Sequence, residues 1–354
     1  MSHPKKILIF HTAFIGDIVL TLPLAQALRA LAPSPSISFV ATPAASEILR
    51  NHPAIDEILP YDKKGEDRGF GALLRMVDMV QSRHFDCAII PHRSLRSALL
   101  PWSAGISRRI GFTTSAAPFL LTDRVPYRRD HNEIGRNLDL LEPLGVAPDY
   151  DELPQLFPNE DDRKIVQAML EHRRAEVSTF DPSRMIAVAP GSVWNTKRWP
   201  MESFRALCRA LIEDGFSVVL IGGPQDEVLC TRVSEGFHAA GLLNTAGMLS
   251  LLQSAEMIRH CRAAVSNDSA PMHLAVGMGT PVVAIFGATV PAFGFAPAGP
   301  RDKVLGVENL PCRPCGIHGG DVCPVGSFAC MHGISPEEVH QAVLSIINAG
   351  ERVQ

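Results

Sequence analysis

The chain has 354 residues, enough for two domain cores, and its 46% hydrophobic and 20% charged residues are typical of a globular protein. Its net charge of −4 argues against broad nucleic-acid binding, which requires a basic face. Polar residues such as His11, Thr12 and Asp17 interrupt the apolar N-terminal run, so neither a signal peptide nor a transmembrane segment is expected. Four of the eight cysteines are scattered singly, unlike a secreted disulfide scaffold, and we expect a cytoplasmic protein.

Apolar strands and amphipathic helices alternate along the first 150 residues or so. Strands are predicted at 6–10, 37–41, 55–59, 86–91 and 108–111. Helices are predicted at 18–32, 44–51, 72–82 and 131–142. Pro23 must lie in the first turn of its helix or kink it. Because strands and helices alternate, we expect a parallel sheet with helices on both faces.

A second alternating series follows a segment rich in prolines and acids at 147–162. Its strands are predicted at 185–189, 217–221, 263–266 and 282–286, and its helices at 162–177, 201–214, 227–239, 250–260 and 271–278. The fold class is therefore α/β, with one domain over 1–160 and another over 161–335. A last helix begins at Pro336, after the second series is complete, and we expect the segment 336–354 to pack back on the N-terminal domain.

The stretch from Val265 to Ala288 contains a strand, a polar turn, a helix and a second strand. Asp268 and Ser269 stand where the helix begins, so they can cap it, and the free N–H groups of that turn can hold a phosphate. Capping alone fits any α/β protein. His273, one turn inside the helix, and the loop at Gly287 favour the donor end of a nucleotide-sugar site.

Two more polar loops follow strands of the second series. The loop 190–200 offers the hydroxyl of Ser192 and the charge of Lys197, which can reach a diphosphate. Two flanking tryptophans argue against a merely solvated lysine. In the loop 221–227 a Gly-Gly turn lets the backbone approach a ligand, and Asp226 or Glu227 could bind ribose hydroxyls.

The loop after the first strand, 11–17, carries a candidate base. Gly16 permits a tight turn, and Asp17 stands near a helix start, where an N-cap and a catalytic role are both open. The sequence has no GxxxxGK[ST] motif, no GxGxxG in the first turn and no GxSxG. These absences argue against a P-loop ATPase, a dehydrogenase and a serine hydrolase.

Several motifs together resemble the ADP-heptose:lipopolysaccharide heptosyltransferases, which form glycosyltransferase family 9. They are HTAFIGDIVLTLPL, GSVWNTKRWP, IGGPQDE, SNDSAPMHLAVGMGTPVVAIFG and the cysteine run from PCRPC to Cys330. The resemblance covers nearly the whole chain, and AFIGDIVLT is most similar to the heptosyltransferase II group. It implies a GT-B fold, with two facing Rossmann-like domains and the active site between them. It also implies inverting transfer that needs no metal.

The resemblance also implies roles for individual residues. Asp17 matches the general base of the family, and Lys197 matches its diphosphate-binding lysine. Ala270 and Pro271 replace a glycine-leucine pair seen in some members, so backbone contacts there are expected to differ. The positions implied for ADP-heptose are Gly16, Ser192, Lys197, Glu227, Leu249, Asp268, Ser269, Ala270 and His273.

The implied acceptor is the lipopolysaccharide inner core, either lipid A–Kdo or a heptosyl acceptor, at the cytosolic face of the inner membrane. The segment 61–68 and the residues His92, Arg93 and Arg96 could meet acceptor phosphates or could be solvated surface. Two alternatives stay open. One is a transferase or epimerase of the same fold for another nucleotide sugar, and the other is a binding or zinc-organised interaction protein without turnover. Only an enzyme needs a base such as Asp17.

Four cysteines cluster late in the chain, as Cys312-x2-Cys315-x7-Cys323-x6-Cys330. The first pair has the spacing of a zinc knuckle, but the second pair does not. A structural zinc, a disulfide and free thiols in a folded loop all remain open. No cofactor is expected for catalysis.

Overall fold

A computed structural model divides the chain into two compact units, Met1–Phe157 and Pro158–Gln354. It describes residues 4–63, 65–237 and 241–351. The predicted boundary at residue 160 lies close to this division. Residue 64 of the predicted acceptor segment, residues 238 and 239 of a predicted helix and the end of the chain from 352 lie outside the described residues.

The first unit contains a parallel six-stranded sheet. Its strands are β1 (Lys6–Phe10), β2 (Ser36–Ala41), β3 (Glu57–Pro60), β4 (Cys87–Ile90), β5 (Arg108–Phe112) and β6 (Asp123–Val125). They lie in the order β3-β2-β1-β4-β5-β6. The central β1 pairs Ile7 with Ile37 on one side and with Cys87 on the other. Its continuous apolar run is buried because helices cover both faces of such a sheet.

The helices of the first unit are α1 (Ile15–Val19), α2 (Leu22–Arg29), α3 (Pro43–Leu49), α4 (Phe70–Gln81), α5 (Leu95–Ser103) and α6 (Glu133–Asp139). The single helix predicted at 18–32 is therefore wrong, since the chain forms α1 and α2 with a break at Thr21. Pro23 lies in the first turn of α2, where its missing N–H costs nothing. The sequence analysis missed α5, which contains Pro101, and β6, which has three residues.

The second unit contains another parallel six-stranded sheet. Its strands are β7 (Met185–Ala189), β8 (Ser217–Leu220), β9 (Leu242–Asn244), β10 (Ala263–Asn267), β11 (Val282–Ile285) and β12 (Lys303–Leu305). They lie in the order β12-β11-β10-β7-β8-β9. The two edge strands, β9 and β12, were not predicted, because three residues carry too little apolar pattern. The fold class is α/β as predicted, with two Rossmann-like units.

The helices of the second unit are α7 (Glu160–Glu176), α8 (Met201–Glu213), α9 (Glu227–Ser234), α10 (Leu251–Arg259), α11 (Ala270–Gly277), α12 (Ala329–His332) and α13 (Pro336–Glu351). Trp199, Phe204 and Met331 lie in the core that these helices form with the sheet. Among the helices of the described residues, none is both long and apolar enough to cross a membrane.

The last helix, α13, packs on α8 and on strands β10 and β11 of its own unit. Val339, Val343 and Ile346 are fully or almost fully buried in the core of this second unit. The helix α13 therefore belongs to the core of the second unit, where its apolar face covers the β10 and β11 side of the sheet. The expectation that the segment 336–354 packs back on the N-terminal domain stays a prediction.

Candidate functional site

The carboxyl edge of the second sheet gathers most of the residues predicted to bind the donor. In a parallel sheet all strand ends of one kind meet at one edge, and ligands bind in the loops beyond it. Ser192 follows β7, Glu227 follows β8, Leu249 follows β9 and Ser269 follows β10. The loop after β11 adds Thr289, which was not predicted.

Lys197 forms an ion pair with Asp268, with 2.6 Å between the lysine Nζ and the aspartate Oδ2. The two side chains are 13% and 8% exposed, so the interpretation of Lys197 as a solvated loop lysine is wrong. Thr289 Oγ1 donates a hydrogen bond to the same carboxylate oxygen at 2.6 Å. This arrangement fixes a positive charge beside the start of α11.

The start of α11 offers fewer donors than a full helix turn. Ser269 is the N-cap by position, but its hydroxyl makes no capping bond and lies 3.3 Å from the carbonyl oxygen of Gly191. Pro271 has no N–H, and the N–H of Met272 donates to the Ser269 carbonyl. Within the described part of the chain, the amides of Ser269 and Ala270 have no hydrogen-bond acceptor. These two amides are what a phosphate would meet there.

His273 lies one turn into α11 and is almost fully buried. Its pKa is lowered to about 4, chiefly by burial; the charge of Asp268 opposes this change, and the charge of Lys197 adds to it. The ring is therefore neutral at pH 7. Within the described chain its Nδ1 atom is buried without a hydrogen-bond partner. In the tautomer that is protonated at Nε2, the unpaired Nδ1 carries only a lone pair. The Nε2–H group can then donate a hydrogen bond.

The remaining predicted donor residues line the neighbouring loops. Ser192 is buried, and its carbonyl accepts a hydrogen bond from Arg198 Nε at 2.8 Å. Glu227 is exposed, and a side chain at Gly247, whose φ is +74°, would collide with its carboxylate. Leu249 is buried and supplies only apolar surface. The structure thus places Ser192 in the same loop as Lys197, and Glu227 between the loops after β8 and β9.

Asn267 is a further site residue that the sequence analysis missed. Its side-chain Nδ2 donates to the carbonyl of Pro190 at 2.9 Å, and its Oδ1 accepts from the N–H of Trp199 at 3.0 Å. Trp199 in turn donates from Nε1 to the carbonyl of Ile334. The loop that carries Lys197 is therefore tied to the end of β10. A buried asparagine beside Asp268 in the motif was the available signal.

In the first unit, Asp17 occupies the first turn of α1 and is half-buried. Its Oδ2 accepts the N–H of Phe14 at 3.1 Å, so the carboxylate does cap the helix. Thr21 Oγ1 donates to the carbonyl of Asp17 and lies 2.8 Å from His11 Nδ1. Because the single hydroxyl proton goes to Asp17, His11 must donate from Nδ1, which leaves its Nε2 unprotonated.

His11 is the other side chain of the loop 11–17 that could act as a base, and it is a weak one. Burial holds its pKa well below the usual 6.5, and His92 and Lys63 add to the effect. The two imidazole rings have centroids 5.7 Å apart. Burial also lowers the pKa of His92 to about 4, with Lys63 and Arg93 as further causes. Both rings are neutral at pH 7.

The predicted acceptor residues lie at the carboxyl edge of the first sheet. His92 Nδ1 lies 2.8 Å from Ser97 Oγ, and the Arg93 guanidinium lies 4.1 Å from the centre of the Tyr127 ring. Arg96 lies 3.5 Å from the hydroxyl of Tyr61. Tyr61 directly follows β3 and is fully buried, so it is a core residue, and neither of the two alternatives left open for the segment 61–68 describes it.

All eight cysteines are free thiols. In the described ranges, no three His, Cys, Asp or Glu side chains form a set that could hold a metal. Backbone N–H groups, chiefly that of Phe328, lower the pKa of Cys323, whereas burial raises the pKa of Cys315 and of Cys330. In the described arrangement the thiols of the 312–330 segment do not form the ligand set that a structural zinc, one of the three alternatives left open, would require.

Comparison with known proteins identifies the type of chain that carries this edge. The model of glycosyltransferase family 9 (heptosyltransferase) matches residues 73–319. The matched range includes the Lys197 loop, the start of α11 and Thr289.

Two curated relatives and one solved structure illustrate the similarity. Lipooligosaccharide heptosyltransferase 2 of Haemophilus ducreyi is 29% identical, over 81% of this chain and 85% of that protein. Lipopolysaccharide heptosyltransferase 1 of Pseudomonas aeruginosa is 30% identical, over 88% of this chain and 86% of that protein. The structure of ADP-heptose lps heptosyltransferase II from E. coli superposes with a TM-score of 0.78 at 24% identity, covering 98% of this chain and 99% of that one. The fold is that of the GT-B heptosyltransferases.

Proposed function

The chain belongs to glycosyltransferase family 9, the heptosyltransferases, and we propose that it transfers heptose from ADP-heptose to the inner core of lipopolysaccharide. The curated relatives are named for this class of reaction. The observation that carries the proposal is the Lys197–Asp268 pair beside two unpaired amides at the start of α11. A fixed cation and N–H donors at one point are what a diphosphate requires.

In the proposed donor complex, the diphosphate accepts from the amides of Ser269 and Ala270 and from the Lys197 ammonium. The ammonium has three protons, so its bond to Asp268 leaves it able to donate to a phosphate as well. The Nε2–H group of His273 donates a hydrogen bond to an oxygen of ADP-heptose. Glu227, which is exposed beside Gly247, accepts from ribose hydroxyls.

The proposed reaction is a single displacement that inverts the anomeric carbon. The acceptor hydroxyl oxygen forms a bond to that carbon while Asp17 takes its proton. The bond from the anomeric carbon to the phosphate oxygen breaks, and ADP leaves with the electron pair. Lys197 and the amides neutralise the charge that develops on the leaving phosphate, which is the role a metal ion has in other enzymes. We therefore propose that the reaction is metal-independent.

The proposed acceptor is lipid A–Kdo or its heptosylated form, at the cytosolic face of the inner membrane. Arg93 and Arg96 supply positive charge at the carboxyl edge of the first sheet, where His92 also lies. Tyr127 holds the Arg93 guanidinium in place by a cation–π contact. An ordered cation of this kind suits a carboxylate or phosphate of the acceptor. A cytoplasmic protein that docks peripherally on the membrane fits this acceptor.

The experiment is to incubate the protein with a panel of nucleotide sugars, with and without defined core acceptors, and to measure nucleotide release in EDTA. We expect ADP release only with ADP-heptose and a core acceptor together. Turnover with another nucleotide sugar would identify a different transferase. Conversion of the donor without an acceptor would identify an epimerase, and binding without any turnover would identify a binding protein. Loss of activity in EDTA would contradict metal independence.

A further inference from the structure

The loop 316–321, within the cysteine-rich segment, bonds directly to the turn that carries Lys197. The N–H of Thr196 donates to the carbonyl of Gly320 at 2.9 Å, and the N–H of Gly320 donates to Thr196 Oγ1 at 2.8 Å. Asn195 Nδ2 donates to the carbonyl of Asp321 at 3.1 Å. Thr196 is buried, so these reciprocal bonds are shielded from water. The bonded residues are 124 and 126 positions apart in sequence.

Gly319 lies against the lysine itself. Its φ is +78°, a conformation that favours glycine. A Cβ at this position would come 2.9 Å from Thr196 Oγ1 and 3.3 Å from Lys197 Cγ. The loop 316–321 therefore packs against the aliphatic part of the Lys197 side chain. A side chain larger than that of glycine at position 319 would crowd this contact.

The same segment also fixes the other side of the ion pair. Arg313 donates to the carbonyls of Phe286 and Thr289, and the N–H of Cys315 donates to the carbonyl of Ala288 at 2.8 Å. Thr289 is the residue whose hydroxyl binds Asp268. The segment 312–330 thus bonds to Thr196, the neighbour of Lys197, and to Thr289, the residue that binds Asp268, by separate hydrogen bonds.

We propose that the loop 316–321 positions Lys197 for the donor diphosphate, with Thr196 and Gly319 as positioning residues. The inference rests on the proposed function, because it requires Lys197 to bind the diphosphate. Thr196 and Gly319 touch the lysine and its turn and need not touch the nucleotide sugar. On this proposal, their effect on binding passes through the Lys197 side chain.

The test is a double-mutant cycle on ADP affinity, measured by calorimetry. Thr196→Val keeps the shape of the side chain and removes the oxygen that accepts the Gly320 N–H. We expect it to weaken ADP binding by about three- to tenfold, since a lost hydrogen bond of this kind has an effect of that order. Thr196→Ser restores the oxygen and is expected to restore affinity. In the Lys197→Ala background, Thr196→Val is expected to change affinity less than about 1.5-fold.

Thr231→Val, at an exposed threonine on α9, is the matched control and is expected to bind ADP like the wild type. If Thr196→Val does not fold, Asn195→Ala removes the bond to Asp321 at an exposed position and gives a second measurement. It is expected to weaken binding about twofold, again only when Lys197 is present.

Failure of the proposed function and failure of the positioning role give different results in this experiment. Unchanged ADP affinity in Lys197→Ala alone would contradict the proposed function. A weakened Lys197→Ala together with unchanged affinity in Thr196→Val, or in Asn195→Ala where that variant replaces it, would overturn only the positioning role. An equal loss from Thr196→Val with and without Lys197 would also overturn it, because a general structural effect does not depend on the lysine.

Discussion

At the scale of single residues, the Lys197–Asp268 pair is the feature that most needs an explanation. Removing two charged groups from water has a desolvation cost that two hydrophobic side chains of similar volume do not have. A buried ion pair therefore often contributes little to the stability of the fold. The presence of this ion pair at the edge of the sheet is explained if Lys197 binds an anionic ligand. Asp268 and Thr289 then hold it in one orientation before the ligand arrives.

Lys197→Ala is predicted to weaken ADP binding, because one charge-assisted contact to the diphosphate is lost. Such contacts contribute about 1.5–3 kcal/mol, which corresponds to roughly ten- to a hundredfold in affinity. Calorimetric titration of the folded variant with ADP measures this. Lys164→Ala, at an exposed lysine on α7, is the control and is expected to bind normally. Unchanged affinity in Lys197→Ala would place the diphosphate elsewhere.

At the scale of elements, α11 combines a half-buried helix start with a neutral histidine in its first turn. His273 faces Asp268 and Lys197, and burial is the largest influence on its pKa. A histidine whose pKa is lowered by folding binds fewer protons in the native state than in the unfolded state. The contribution of His273 to the free energy of unfolding is therefore fully present above about pH 6.5. It is lost as the pH falls towards the folded pKa of about 4.

His273→Gln is predicted to make stability less dependent on pH. Between pH 7 and pH 5 the wild type should lose about 2 kcal/mol through this residue alone, in addition to losses from other buried histidines. Urea unfolding at the two pH values measures the difference. His172→Gln, at an exposed histidine on α7, should retain the full wild-type dependence. An identical dependence in His273→Gln would contradict the lowered pKa, because it would mean that the ring binds protons equally in the native and unfolded states.

The segment 312–330 is a second element with a testable state. Purified without chelators, the protein is predicted to carry far less than about one equivalent of zinc or iron, since the described residues form no ligand set. The native thiols that react should belong to this segment, because Cys87, Cys208, Cys230 and Cys261 are buried. Burial also raises the pKa of each of these four, to about 12 for Cys87, Cys208 and Cys230.

Metal analysis and thiol titration together decide whether the segment 312–330 binds a metal or contains free thiols. Denaturation should release all eight thiols. A full metal equivalent, with the segment thiols protected until the metal is removed, would instead support the zinc knuckle.

At the scale of the whole molecule, each unit has its own six-stranded parallel sheet and its own core. The proposed tasks are divided in the same way. The second unit carries the donor-binding groups around Lys197, and the first carries Asp17 and the basic residues expected to meet the acceptor. Substitutions at the two sets are therefore expected to separate binding from turnover.

The sequence predicted the elements that bury continuous apolar runs, such as β1 and β7, to the residue. It did not predict the break between α1 and α2, because the hydroxyl of Thr21 binds partners that the fold brings to it, including Asn137. Strand ends placed Ser192, Lys197 and Ser269 at one edge. The pairing of Lys197 with Asp268, and its support by Gly320, depend on segments distant in sequence and could not be predicted.

The central claim is that Asp17 performs chemistry while the second unit binds ADP. Asp17→Asn tests it most directly, because the amide oxygen can still accept the Phe14 N–H and so preserves the helix cap. With ADP-heptose and a core acceptor, we predict that kcat falls by about 10²–10⁴-fold while ADP affinity is unchanged. A folded Asp17→Asn with normal kcat would contradict the claim, leave Asp17 as a helix cap, and make His11 the candidate base.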